Sequence, residues 1–117
     1  MKKIGIVCLV FIGLICLVGC TKEQTQEESK LDKVLKENNY IVVDVRTPEE
    51  YAEGHVKESI NIPYDEIDEN TNLDKNKTIL VYCKSGVRSN KAYNTLKELG
   101  YDVIDLGAYD KVELEKE

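Results

Sequence analysis

Apolar positions from residue 29 onward fall into short blocks separated by polar stretches, and the spacing changes from block to block. Ser29-Lys30-Leu31-Asp32 has the form of a helix-starting box, and Leu31, Val34 and Leu35 share one helical face. That predicts a helix ending at Asn38-Asn39. Ile41-Val42-Val43-Asp44-Val45 is a β-branched run, the pattern of a strand buried on both faces. In Thr47-Pro48-Glu49-Glu50, Thr47 can cap, Pro48 suits the first helical position and Glu50 sits where a capping-box acid belongs. Gly54 should stop this short helix. Ser59-Ile60-Asn61-Ile62 alternates and is stopped by Pro63, which predicts a second strand. A helical turn is expected within Tyr64 to Asn70, then a polar loop to Lys77. Thr78-Ile79-Leu80-Val81-Tyr82 reads as a third strand, and Asp102 to Leu106 as a fourth. Between them Ser89 can cap a helix whose Ala92, Leu96 and Leu99 share a face, with Gly100 as its stop. Gly107 to Glu117 is expected to be a turn and a frayed helix. Strands that alternate with helices and carry few polar residues define an α/β fold. The expected architecture is one open, mostly parallel sheet of four to five strands with helices on both faces.

The first residues have a different character. Lys2 and Lys3 precede an uncharged, nearly all-apolar run from Ile4 to Val18. A helical bilayer span needs about 20 apolar residues, so the run is short for a permanent span and suits an export signal. It ends in Leu17-Val18-Gly19-Cys20, which resembles the lipobox of bacterial lipoproteins. The resemblance implies cleavage before Cys20 and a lipid on that cysteine, so that residues 1–19 are a signal peptide and 20–27 a polar tether. The domain then occupies 28–117, outside the cytoplasm and anchored to the cell membrane through the lipid. Two acyl chains suffice for stable anchoring.

Charge removes some classes of partner. The chain carries a net charge of −6, which becomes more negative once Lys2 and Lys3 are lost. Nucleic-acid binding draws on clustered Lys and Arg, so no nucleic acid is expected as a partner. Cysteine usage is more informative. Four cysteines in an exported chain would invite disulfides. On the lipoprotein reading Cys8 and Cys16 leave with the signal and Cys20 carries lipid, so Cys83 alone remains a free thiol.

Cys83 stands between a predicted strand and a predicted helix, at the end of a sheet where ligands bind in open parallel folds. The loop Cys83-Lys84-Ser85-Gly86-Val87-Arg88 contains a glycine for tight geometry and can turn its N–H groups inward as an anion-binding nest. That field, with Lys84 and Arg88 nearby, favours a thiolate. An inert core cysteine would need none of this.

Four segments in order resemble a rhodanese domain: Val43 to Tyr51, Gly54-His55-Val56, Ser59 to Pro63, and the Cys83 to Arg88 loop. The resemblance runs from about Leu31 to Leu106. It implies a sulfurtransferase without metal or organic cofactor. Cys83 would take sulfane sulfur from a small anionic donor such as thiosulfate, hold it as a persulfide, and pass it to a thiol or protein acceptor. Lys84, Ser85, Gly86, Val87 and Arg88 would bind substrate, and replacing Arg88 by Ala should raise the KM for an anionic donor. Asp44 and Arg46 resemble the family's Asp-x-Arg and are read as an ion pair supporting the loop. Cysteine phosphatases have five residues between Cys and Arg, whereas four separate Cys83 from Arg88, a smaller ring that suits sulfur. The second reading is a lipid-anchored sulfur-carrier or redox binding module without turnover on small molecules. A monomer is expected. His55 is assigned a packing or hydrogen-bonding place at a helix end, and Tyr82 and Tyr93 are assigned to the core. Two departures from the family stand out. Only Gln24 to Glu28 could supply a first strand, and Leu106-Gly107-Ala108-Tyr109 replaces a Gly-Gly stretch with a nearby tryptophan.

Overall fold

The computed structural model describes residues 30–117, so the expectations for the signal peptide, Cys20, the tether and a strand at Gln24 to Glu28 lie outside the described residues. Residues 30–37 are helical (α1) and belong to a separate unit from Asn38–Glu117, which holds the site. Asn38 takes a positive φ of 53° after α1, a conformation Asn tolerates better than most side chains. No helix among the described residues is long and apolar enough to cross a membrane.

The second unit contains β1 (Tyr40–Asp44), α2 (Pro48–Glu53), β2 (Ile60–Asn61), β3 (Thr78–Cys83), α3 (Val87–Glu98) and β4 (Asp102–Ala108). Short 3₁₀ turns cover Tyr64–Glu66 and Tyr109–Lys111. The four strands form one parallel sheet in the order β2-β1-β3-β4. β3 is central and buried from Ile79 to Cys83, which explains its nearly unbroken apolar sequence. On one face Val43, Ile79, Val81, Cys83 and Val103 pack with Ala92 and Leu96 of α3. Each such aliphatic side chain contributes roughly 1.5–3 kcal/mol by leaving water. Leu99 and Tyr93 pack against this core, and Gly100 ends the helix region with φ 95°.

The α2 segment follows its sequence signals closely. Thr47 Oγ1 accepts from the Glu50 N–H at 3.2 Å, and Glu50 Oε1 accepts from the Thr47 N–H at 3.1 Å, completing the capping box. Elsewhere the structure departs from the pattern. β2 is shorter than Ser59 to Ile62, but the Ile62 N–H still donates to the Asp44 carbonyl and the Tyr64 N–H to that of Val45. Helix α3 begins at Val87, and its N-cap is Gly86, not Ser89. Gly86 starts the helix early because its φ of 99° turns the chain sharply after Cys83. The C-terminal residues do not form a frayed helix. After the turn at Tyr109–Lys111 they extend beside residues 55–57, where His55 and Glu117 exchange backbone hydrogen bonds at 2.9 and 2.8 Å.

Candidate active site

β3 delivers Cys83 to the carboxyl edge of the sheet, and Gly86 folds the chain back over it. The Gly86 N–H donates to Cys83 Sγ at 2.9 Å, and Cys83 itself is fully buried. Burial pushes the Cys83 thiol up, but hydrogen bonding from the Ser89 hydroxyl and from the Ser89, Gly86 and Ser85 N–H groups outweighs it. The pKa therefore lies below that of an ordinary cysteine. Ser89 is the residue whose role the sequence misplaced. Its Oγ lies 3.1 Å from the Gly86 carbonyl, and its single proton serves either that oxygen or the sulfur.

Across the sheet, a register shift between Val81 and Tyr82 leaves Leu106 without a partner and sets Gly107 opposite Tyr82 and Ala108 opposite Cys83. Gly107 has φ 83° and donates its N–H to Asp105 Oδ1 at 2.9 Å. Bulges next to active sites commonly re-aim the following side chain. Beyond the paired Gly107 and Ala108, Tyr109 stacks on Tyr82 at 5.6 Å between centroids. The Arg46 guanidinium lies 4.4 Å from the Tyr109 ring centroid.

Asp44 and Arg46 are brought together at the carboxyl end of β1. Arg46 Nε donates to both Asp44 oxygens at 2.9 and 3.0 Å, and Nη2 donates to Oδ2 at 2.6 Å. A further Nη2 bond reaches the Gly54 carbonyl at 2.6 Å. The Tyr82 hydroxyl donates to Asp44 Oδ2 at 2.7 Å and accepts from the Val56 N–H at 2.9 Å. Burial, with Asp44 beside it, pushes the Tyr82 pKa up to about 12, so the phenol stays protonated and keeps donating. Tyr82, immediately before Cys83, thus ties β3 to β1 and to the chain after α2.

Arg88 does not stand open to a donor. Its Nη1 and Nη2 donate to Glu50 Oε1 and Oε2 at 2.8 and 3.1 Å, a two-pronged pair. The Arg88 bond is the largest influence holding the Glu50 carboxyl down at about 2, with the Thr47 N–H and hydroxyl adding to it against a burial penalty. The sign is that of a depressed acid. What this pair contributes is fully present above the ordinary carboxylate pKa and is lost as pH falls through about 2. Glu50 thereby joins α2 to Arg88 in the first turn of α3, 38 residues away, a link the sequence did not show, since Glu50 read only as a capping acid. Lys84 and Ser85 are exposed, as is Val87 at the start of α3. His55 stacks on Tyr51 at 3.8 Å and places Nδ1 2.8 Å from the Tyr51 carbonyl.

Alkylation of Cys83 by iodoacetamide is expected to titrate with a midpoint below that of a free cysteine. In Ser89→Ala the midpoint should move up, because one donor to the thiolate is lost. Identical pH profiles for the two proteins would remove Ser89 from the site.

Comparison with known proteins agrees with this geometry. A family model for the rhodanese-like domain matches residues 27–113, and the chain belongs to that family. It is 42% identical over 66 residues to thiosulfate sulfurtransferase PspE of Escherichia coli (strain K12), a match spanning 54% of this chain and 64% of that protein. A sulfurtransferase of Allochromatium vinosum is 29% identical over 79 residues, covering 67% of this chain and 74% of the relative. A solved structure of a rhodanese with anions from E. coli superposes with a TM-score of 0.61 at 36% identity, covering 67% of this chain and 96% of that one. These matches place the chain in the rhodanese-like family, and it spans less than two thirds of the length of PspE.

Proposed function

We propose that this chain transfers sulfane sulfur through a Cys83 persulfide, accepting it from a small anionic donor such as thiosulfate and passing it to a thiol. The observation that carries the reading is the set of donors around the buried Sγ, led by the Gly86 N–H at 2.9 Å. They favour the thiolate, which is the attacking species, and can then stabilise the anionic terminal sulfur of the persulfide. Thiosulfate enters the reading from the similarity to PspE and from the four-residue spacing that favours sulfur over phosphate. Intact mass of the protein after incubation with thiosulfate and removal of the donor tests it. A gain of one sulfur atom, blocked by prior alkylation of Cys83, is the expected result. If the folded protein gains none from thiosulfate or polysulfide, the carrier or redox module replaces this reading.

The same proposal includes a lipid on Cys20 and a position on the outer face of a bacterial membrane, supported by the lipobox-like Leu17-Val18-Gly19-Cys20 behind its apolar run. In the full-length protein, Cys20→Ser is expected to shift the chain from the membrane pellet to the soluble fraction or to leave the signal uncleaved. Unchanged pelleting of a cleaved Cys20→Ser protein would end the anchor proposal.

A further inference from the structure

The Glu50 carboxylate is held from two sides. The Thr47 N–H and hydroxyl each donate to Oε1 at 3.1 Å, and Arg88 Nη1 and Nη2 donate to Oε1 and Oε2 at 2.8 and 3.1 Å. The carboxylate is thus anchored to the start of its own helix as well as to the guanidinium. The Arg88 and Glu50 side chains are 26% and 25% exposed, so water screens the pair only in part. Arg88 stands in sequence between two residues that bond the nucleophile. The Gly86 N–H donates to Cys83 Sγ at 2.9 Å, and the Ser89 N–H bonds the same sulfur. The Arg88 pKa is raised, first by the Glu50 hydrogen bond and further by the charges of Glu50 and Cys83. One cation therefore faces two anions, a carboxylate held in place and a thiolate that reacts. While Glu50 stays there, the pair adds no net charge to attract a donor.

Resting on the persulfide reading above, we propose that Glu50 sets the charge of the preferred sulfur donor, cancelling Arg88 so that two negative charges gain little over one. In the loading step the Cys83 thiolate attacks the outer sulfur of thiosulfate. The donor's S–S bond breaks, its electron pair leaves with sulfite, and the sulfur stays on Sγ as the persulfide. A thiosulfonate loads Cys83 in the same way and releases a sulfinate. Neither route needs an outside oxidant or reductant. Both donors carry the reacting sulfur on a sulfonyl centre, and they differ by one negative charge. A net charge near Sγ changes their relative rates, whereas a change in loop shape affects both alike. Losing the carboxylate alone frees one positive charge, and losing the guanidinium alone strands one negative charge. Lys84, Lys116 at the Tyr109 ring and the Asp44–Arg46 pair are the same in every variant, so they cancel from the comparison.

The test uses the full protein, reduced and free of sulfur, with sodium thiosulfate and sodium methanethiosulfonate as donors. Intact mass verifies loading, and second-order loading rate constants are compared as the ratio of thiosulfate to methanethiosulfonate. Glu50→Gln is the informative change, because glutamine also completes a capping box and should leave α2 in place. It should raise the ratio by roughly 3- to 10-fold, as expected for one partly screened charge. Arg88→Ala should lower the ratio by a similar factor, and Glu50→Gln/Arg88→Ala should return it near the wild-type value. Added salt should compress these differences, and circular dichroism checks that each variant is folded. A loaded Glu50→Gln protein with an unchanged or lowered ratio overturns this proposal and leaves the sulfurtransferase reading standing. A double variant that keeps the raised ratio does the same, because the effect would then not pass through Arg88. Wild-type protein that loads from neither donor overturns both.

Discussion

Cys83→Ser is expected to abolish sulfur loading and to lower turnover by at least about 10³-fold, as removal of a covalent nucleophile does elsewhere. The fold should survive the change. A serine Oγ fits the space of the sulfur and can accept from the same Gly86 N–H that now points at Sγ, so stability should alter by no more than about 1 kcal/mol. The loss would then be chemical, because the N–H groups that favour a thiolate cannot ionise a hydroxyl near neutral pH. Intact mass after incubation with thiosulfate reads the loading, and chemical denaturation reads the fold. Sulfur gained by folded Cys83→Ser would require a different acceptor atom. Cys83 is the free cysteine among the described residues, so such a result would point outside the rhodanese-like unit.

The strand, loop and helix that frame Cys83 were legible because their signals are local. A β-branched run, a glycine-containing loop and a helical period follow one another within about two dozen residues, and each has a backbone cause. The Thr47-Pro48-Glu49-Glu50 helix start was legible for the same reason, since both halves of its capping box lie three residues apart. Ser89 was misplaced by that logic. Serine is a good N-cap, but a glycine at φ 99° had already opened the helix at Val87 and left Ser89 facing the sulfur. Contacts distant in sequence left no periodic trace. Glu50 was readable as a capping acid, yet nothing local announced that its two oxygens also grip Arg88. The charge expected to draw in an anionic donor is consequently shared with a carboxylate. The bulge at Leu106 and the extended pairing of Glu117 with His55 were hidden likewise, because each depends on a partner strand or segment supplied by the fold.

The second large effect is on stability. Asp44→Ala is expected to cost about 3–5 kcal/mol, the range for removing one partner of a buried ion pair. Asp44 is fully buried and Arg46 is 5% exposed, so the guanidinium left behind keeps its charge with little access to water. Its ring neighbours restrict escape, with Tyr109 at 4.4 Å and Tyr82 at 5.5 Å, and the Gly54 carbonyl satisfies only part of its donor set. The Tyr82 hydroxyl would lose its acceptor as well. Tyr82→Phe leaves the ion pair in place, removes the hydroxyl's two hydrogen bonds, to Asp44 Oδ2 and from the Val56 N–H, and should cost about 1–3 kcal/mol. Urea denaturation followed by circular dichroism measures both, and the milder variant keeps the comparison possible if Asp44→Ala does not fold. Exchanging both charges at once, in Asp44→Leu/Arg46→Met, should cost less than the two single changes together, because neither charge is then stranded. Strict additivity in that cycle, or a loss below about 1 kcal/mol for Asp44→Ala, would mean that the guanidinium finds other partners. The Asp44–Arg46 pair would then not be what ties the end of β1 to Tyr82 and Gly54.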